Sequence, residues 1–379
     1  MKRKNNFYLI LLLIFCISVL SCKFLKNNII LAQESVSAKA ICVIEANSNR
    51  VLFDKNLNQK LPMASTTKIV TALTVLENCK ELDKEFKIDD KAVGVTGTSI
   101  YLKHGECLSV RELLFGMMLP SGNDAAVALA LHISDSIEDF CNLMQQTANK
   151  CGAYNSSFAN PHGLDAPNHY TTCYDLALIT AKALKNDTFK EIVSTKNTRI
   201  KGSEEGTYRY LKNKNKLLNT LEGCIGVKTG FTNNAGRCLV SACERNDFRT
   251  VCVVLNDGPM FEDSYRLLEK CYINYTMVNL LSEYKIIREI SVEDGKIPFV
   301  KTFTKKGFSY PLTKEEIEYL EYNYELPNTV KAPINKDQII GKIEIYLNNH
   351  LLFSENIYTM DNIKKIGVWS SIKDIASNW

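Results

Sequence analysis

The chain has 379 residues, of which 45% are hydrophobic and 23% charged, with a formal net charge of +4. That is the composition of a globular protein long enough for one sizeable core and a smaller companion. So mild a positive balance, with no basic block beyond the first residues, argues against nucleic acid as a partner.

The N-terminus is built for export. Lys2, Arg3 and Lys4 precede an apolar run from Phe7 to Leu20, the length of a signal-peptide core and short for a membrane span. Residues 1–34 are therefore expected to be a signal peptide or N-terminal export segment. Three outcomes stay open: cleavage near Ala32 or Ala38, a lipoprotein box at Val19-Leu20-Ser21-Cys22 that leaves a lipidated Cys22, or an uncleaved anchor. The 13 cysteines are scattered singly, with no Cys-x-x-Cys pair and no histidine at ligand spacing. They read as small hydrophobes, Cys238 and Cys252 within apolar strand patterns, and no metal or organic cofactor site is visible.

Residues 38–56 predict two short strands around the turn Asn47-Ser48-Asn49. After Pro62 come the small residues Ala64-Ser65-Thr66-Thr67, then Ile69, Val70, Ala72, Leu73 and Val75, which predicts a helix starting at Ser65. A charged stretch (80–91) and a Gly/Thr-rich loop (94–99) lead to a helix over 109–119, and helical patterns continue through 123–150 and 174–185. The run Leu211-Lys212-Asn213-Lys214-Asn215-Lys216 reads as a solvated loop or edge. Residues 222–258 change to antiparallel strands, with turns at Thr232-Asn233-Asn234 and at Glu244-Arg245-Asn246-Asp247, and a helix is expected over 261–282.

Strands at both ends with helices between them place the first hairpin in one sheet with the later strands. Residues 35–282 are thus expected to form one domain and 285–358 a small β domain of short alternating strands. In the tail, 359–379, Ile363, Ile366, Trp369, Ile372, Ile375 and Trp379 are interleaved with lysines. It is either an amphipathic helix on a membrane surface or a terminal helix packed on, or fraying from, its own domain.

Three short motifs carry chemistry. Ser-x-x-Lys occurs at Ser65/Lys68, Ser282/Lys285 and Ser370/Lys373, so the spacing alone selects nothing. At a helix start, however, residues i and i+3 share a face, which lays Lys68 over the Ser65 hydroxyl amid unpaired backbone N–H groups. Ser121-Gly122-Asn123 sits on a turn before a helix; alone it reads as a cap, yet it offers a proton-relaying hydroxyl and a peptide-binding amide. Lys228-Thr229-Gly230 lies on a strand, where the glycine lets a ligand backbone approach. Only Ser65 has both partners downstream, and Ser-x-x-Lys, Ser-x-Asn and Lys-Thr-Gly in this order are the motif set of penicillin-binding proteins and class A β-lactamases.

The resemblance then extends past the trio. The runs from Ala64, from Gly97 through Ala130, from Asn160 through Thr172, from Gly223 through Val240 and from Lys331 through Ile343 are similar to the serine-type D-alanyl-D-alanine carboxypeptidases, the low-molecular-mass penicillin-binding proteins of the peptidase S11 type. That resemblance implies an α/β (α+β) transpeptidase/β-lactamase-like domain: an antiparallel sheet with flanking helices and a helical subdomain, followed by a small all-β domain. It implies peptidoglycan peptides ending in D-Ala-D-Ala as substrates, β-lactam antibiotics as covalent inhibitors, and work at the extracytoplasmic face of the membrane or in the wall. Membrane contact would come through the tail or a lipidated Cys22.

By the same resemblance, Ser65 is the nucleophile, Lys68 its base and Ser121 the proton relay. Asn123 holds substrate and Lys68, Lys228 and Thr229 take the terminal carboxylate, and Gly230 and Phe231 line the site, with the N–H groups of Ser65 and Phe231 as oxyanion hole. His162 on its Pro/Gly loop reads as structural, and His104 and His169 have no evident partner. One departure stands out: where relatives carry an arginine before the helix near 261, this chain has Pro259-Met260, leaving Arg237 or Arg266 as the replacement. The alternatives are a β-lactamase-like hydrolase, for which no Glu-x-x-Leu-Asn element appears between 124 and 225, and a non-catalytic wall-binding protein.

Overall fold

The structure, a computed structural model, describes residues 36–367. Both the expected leader (1–34) and the tail from 368 onward lie outside the described residues.

The first hairpin forms as its alternation demands: β1 (Ala40–Glu45) and β2 (Val51–Lys55) pair antiparallel, with Glu45 accepting hydrogen bonds from the Asn47 and Ser48 backbone to hold the turn. β1 then pairs with β9 (Phe248–Leu255), which pairs with β8 (Gly236–Arg245), which pairs with β7 (Cys224–Thr232). The resulting order, β2-β1-β9-β8-β7, leaves β7 at an edge. The turn between β8 and β9 is the two residues Asn246 and Asp247, both at positive φ (48° and 61°). That is the turn whose twist matches the strands it joins.

Helices cover this sheet. The segment after Pro62 begins as a 3-10 turn, Ala64–Thr67, and becomes α-helical only at Lys68, giving α1 (Lys68–Asn78). Every residue of α1 from Lys68 to Val75 is buried, so it runs through the core rather than over it. β3 (Glu85–Lys87), within the stretch expected only to be charged, pairs with β4 (Cys107–Ser109). α2 (Val110–Met118) starts at a reciprocal cap between Ser109 and Glu112. The helical stretch 123–150 is broken at Ser134–Ser136 into α3 (Asn123–Ile133) and α4 (Ile137–Lys150), because Ser136 caps a new start.

α5 (Cys173–Ala183) is followed by α6 (Asp187–Ser194) and the hairpin β5 (Asn197–Lys201) and β6 (Tyr208–Lys212), which the sequence pattern did not single out. A four-residue helix, α7 (Leu217–Thr220), leads into β7. The helix expected over 261–282 is shorter: α8 runs Met260–Asn274, and Thr276–Leu281 is instead β10, paired with β13 (Phe308–Leu312). The apolar residues Met277, Val278, Leu280 and Leu281 extended the helical reading, but they pack on a second sheet.

That second part is all β. β14 (Leu320–Glu325), β16 (Ile339–Leu347), β17 (His350–Thr359), β12 (Phe299–Thr304), β11 (Ile286–Glu293) and β15 (Thr329–Lys331) form a six-stranded sheet in that order. Its strands bury Ile343, Ile345 and Ile357 on one core and Ile290 and Val300 on another, which Ile363, beyond the last strand and bridged to Ile334, completes. Arg50, just ahead of β2, ties the two parts together: it ion-pairs with Glu316, donates to the Pro311 carbonyl, and lies over the Tyr275 and Tyr310 rings at 5.2 and 5.0 Å. Among the described residues seven of eleven free cysteines are buried, behaving as small apolar side chains. No helix among the described residues is long and apolar enough to cross a membrane.

Candidate active site

The 3-10 turn before α1 is pressed against the edge strand β7. A Cβ on Gly230 would sit 3.0 Å from the Ser65 nitrogen and 3.1 Å from the Met63 carbonyl oxygen, so any larger residue would have to push the turn and the strand apart by a few tenths of an ångström. The loop at 160–165 closes on the other side, where a Cβ on Gly163 would lie 1.9 Å from the Ala64 carbonyl oxygen. Ala64 itself is held at φ +49°, and Ser121 at φ +77°. Both are non-glycine residues in the left-handed region, where strain of roughly 1–3 kcal/mol is held in place by surrounding packing. Ser65 is the one half-exposed residue in a stretch, Met63 to Val70, that is otherwise buried.

Lys68 is buried, and its Nζ meets three oxygens: Ser65 Oγ at 3.0 Å, Asn123 Oδ1 at 2.7 Å and the His162 carbonyl at 2.7 Å. No carboxylate among the described residues pairs with it. Burial, then the charge of Lys228, then that of Lys214 drive its pKa well below the usual lysine value, against a smaller opposing pull from Asp124. A neutral amine has two N–H donors and one lone pair. Asn123 Oδ1 and the His162 carbonyl can only accept, so they take the two donors, and the lone pair is left for the one partner able to donate, the Ser65 hydroxyl.

Asn123 opens α3 and is itself fixed, its Nδ2 donating to the Thr96 carbonyl at 2.7 Å and its backbone N–H to that of Thr98 at 2.7 Å. Its neighbour Asp124, which the sequence did not single out, is fully buried and organises the Gly/Thr loop by accepting from Ser99 Oγ and the backbone N–H groups of Ile100 and Leu102. The Ser121 hydroxyl is buried at the cleft wall and has no hydrogen-bond partner among the described residues. An unsatisfied hydroxyl costs about 1–3 kcal/mol, so its place there calls for an explanation in function.

Lys228 projects inward from β7, fully buried, and its Nζ donates to the Thr229 carbonyl at 3.0 Å. Burial first, then the Lys214 charge, lowers its pKa to about 7. It lies behind the cleft surface, which Thr229, Gly230 and Phe231 form instead. Lys214, expected to be a solvated loop residue, also lines this cleft of about 490 Å³. As a residue it is solvent-exposed, yet partial burial of its ammonium lowers its pKa. Asn213 and Asn215 on either side are tied to backbone groups, which is what fixes the loop.

Of the two candidate arginines, Arg237 lines the cleft, whereas Arg266 is spent on Asp263 and Glu262. His162, read as structural, and His104 and His169, for which the sequence showed no partner, all have structural contacts. His162 contributes its backbone carbonyl to Lys68, His169 Nε2 contacts Thr67 Oγ1 at 2.9 Å, and exposed His104 pairs with Asp90. Burial pushes the pKa of both His162 and His169 down to about 4, so neither is charged near neutrality.

Residues 27–258 match the family model for D-alanyl-D-alanine carboxypeptidase, peptidase S11, and residues 275–365 match the C-terminal domain of penicillin-binding protein 5. The chain belongs to the D-alanyl-D-alanine carboxypeptidase family. It is 31% identical to D-alanyl-D-alanine carboxypeptidase DacF of Bacillus subtilis, over 98% of this chain and 96% of that one. It is also 31% identical to DacC of Escherichia coli, over 90% and 88%. Among solved structures, penicillin-binding protein 5 from Haemophilus influenzae superposes with a TM-score of 0.74 at 28% identity, covering 88% of this chain and 99% of that one. As a D-alanyl-D-alanine carboxypeptidase, the chain is a serine peptidase with the mixed α/β architecture and all-β C-terminal part of its relatives.

Proposed function

We propose that this carboxypeptidase removes the terminal D-alanine of peptidoglycan stem peptides through an acyl-enzyme on Ser65. The observation that carries this reading is the single lone pair of Lys68, which the two carbonyl acceptors leave facing the Ser65 hydroxyl. Lys68 takes the hydroxyl proton as Ser65 Oγ attacks the carbonyl between the two D-alanines. The N–H groups of Ser65 and Phe231 receive the oxyanion, an interaction whose loss typically costs about 3 kcal/mol.

The proton then passes through the Ser121 hydroxyl to the departing amine of D-alanine, which gives that otherwise unpaired group its purpose. Asn123 orients Lys68 and hydrogen-bonds the peptide. Thr229 receives the terminal carboxylate, while Lys228 acts from behind through its charge. Water, deprotonated by Lys68, finally hydrolyses the ester. The described residues lining the cleft include no carboxylate to serve as a separate deacylation base, which favours slow turnover of a penicilloyl ester and hence penicillin sensitivity.

In this reading residues 35–282 are the peptidase domain, 285–358 the small β domain, and the enzyme works outside the cytoplasm in wall maturation, with the tail or Cys22 as membrane contact. The test is intact-mass spectrometry after brief exposure to benzylpenicillin, with peptide mapping and a Ser65→Ala control. A stable adduct on the Ser65 peptide, absent from the control, is expected. Drug consumed without an adduct would establish a β-lactamase instead, and drug left untouched would leave a non-catalytic binder.

A further inference from the structure

The strand that carries Lys228, Thr229 and Gly230 has a neighbour in its sheet on one side only, β8. Its ladder with β8 is interrupted near its start, where the register shifts between Cys224 and Gly226. Directly across from Cys224, just before that shift, stands Cys243. Among the described strands this is the one register that sets cysteine opposite cysteine. Cys42, Cys107, Cys238 and Cys252 all face residues of other types.

The local hydrogen bonds fix how near the two come. The Glu244 N–H donates to the Gly223 carbonyl at 2.9 Å, and the Cys224 N–H turns back to the Leu221 carbonyl at 3.2 Å. The ladder bond therefore belongs to the pair 223 and 244, which leaves Cys224 and Cys243 as the next pair, without one. In antiparallel sheets such pairs bring their Cα atoms to about 4.5 Å, with both side chains on one face. A disulfide spans roughly 4.4–6.8 Å between Cα atoms, so the two thiols can be joined without moving either strand far. Both are free thiols that donate weakly to carbonyls, Cys224 Sγ to Gly226 at 3.5 Å and Cys243 Sγ to Glu222 at 3.2 Å. The Glu222 carbonyl also accepts from Nε and Nη2 of Arg245, so it keeps donors when the thiol proton leaves.

We propose that Cys224 and Cys243 are a redox-sensitive pair, which a small disulfide such as oxidised glutathione closes into a cross-strand bond that clamps the start of β7 to β8. Cys224 is the point of entry, being half-buried where Cys243 is buried. Burial raises the pKa of both thiols, that of Cys243 to about 12, while the hydrogen bond to Gly226 and the Lys196 charge offset part of the rise at Cys224. The Cys224 thiolate attacks one sulfur of the glutathione disulfide and releases one glutathione. Cys243 then gives its proton to water, attacks the Cys224 sulfur and releases the second. Two protein thiols are thus oxidised and one disulfide is reduced to two thiols. The poor ionisation of Cys243 is offset by its fixed place beside the mixed disulfide. The bond encloses the hairpin that bears Lys228, Thr229, Gly230 and Phe231, holds the end that the interrupted ladder holds least, and restrains the unfolded chain. The pairing stands on the sheet register; only its use in the cell rests on the proposed location outside the cytoplasm, where disulfides persist.

In the test, the full chain is equilibrated with glutathione at graded ratios of oxidised to reduced form and quenched with acid. Its remaining thiols are then alkylated under denaturing conditions and mapped by mass spectrometry. A linked pair of peptides containing Cys224 and Cys243 is expected, and with it a Tm about 5 °C above that of the reduced protein. Fragmentation must place the link at Cys243, because Cys238 shares the stretch between Arg237 and Arg245. Cys224→Ser and Cys243→Ala should each abolish both the link and the redox dependence of Tm, while keeping the circular dichroism of the wild type, which shows that they fold. Thiols that all remain open to alkylation at the most oxidising ratio would overturn the proposal. So would a link at another cysteine, glutathione retained on Cys224 without closure, or a link that leaves Tm unchanged.

Discussion

Two regions of this molecule use lysine in opposite ways. In the cleft, Lys68 and Lys228 are fully buried, neither hydrogen-bonded to a carboxylate among the described residues, and their pKa values fall, that of Lys228 to about 7. On the β-rich part, Lys342 sits at the surface between Glu325 and Glu344; hydrogen bonds to those carboxylates raise its pKa. The side chain is the same, and the environment decides whether it is a base or a solubilising charge. A buried lysine without an acid is costly to fold around, and it persists where a neutral amine is wanted.

That contrast can be broken most severely at Lys68. Lys68→Ala should leave Ser65 without a base and slow acylation by benzylpenicillin about 10³-fold or more, followed by stopped-flow or mass spectrometry. Gly230→Ala should come next, about 10²-fold, because the new Cβ forces β7 away from the Ser65 turn; a full rate in this variant would refute the close-approach argument. Lys228→Met sharpens the comparison through pH. Acylation requires neutral Lys68, so the rate rises with pH through the lowered pKa of Lys68. Lys228⁺ is one cause of that lowering, so removing it should raise the pKa and move the acid limb to higher pH. In the wild type an alkaline limb is expected near pH 7 as Lys228 loses its own proton. The buried histidines, with pKa values of about 4, contribute nothing to either limb between pH 5 and 8. The smallest effect belongs to the surface: Lys342→Met should leave the acylation rate unchanged and shift Tm by no more than about 1 °C, since an exposed ion pair adds little.

How much of this was legible beforehand follows from range. Ser65/Lys68, Ser121/Asn123 and Lys228–Phe231 each declare themselves within a few residues, and their order along the chain supplied what their spacing could not. That the first hairpin shares a sheet with the later strands was legible too, because strands at both ends of a helical region have few other ways to bury their faces, though not that β9 is the strand it joins. What stayed hidden depends on distant partners. Lys214 stands in a lysine- and asparagine-rich stretch that looks solvated; only the asparagine tethers, invisible in composition, turn it toward the cleft. Asp124 reads as an ordinary first-turn acid of a helix until the loop it organises, 22 to 25 residues away in sequence, is in place. The end of α8 was missed because Met277–Leu281 is apolar enough to continue a helix, and its partner β13 begins only at Phe308.

The sheet order has a consequence in time. Synthesis delivers the nucleophile and its helix early, whereas β7 and β9, on which they depend, arrive more than 150 residues later. β1 has only β2 beside it until β9 exists, and the pKa of Lys68 falls only as the later strands bury it and, second to that, bring Lys228 near it. So non-local a closure is slow relative to the helices it encloses. In refolding, helical circular dichroism should therefore recover before the capacity to form the Ser65 adduct, and simultaneous recovery would refute this order. Reactivity toward β-lactams is, in that sense, a clock that starts only when the last strand of the sheet is in place.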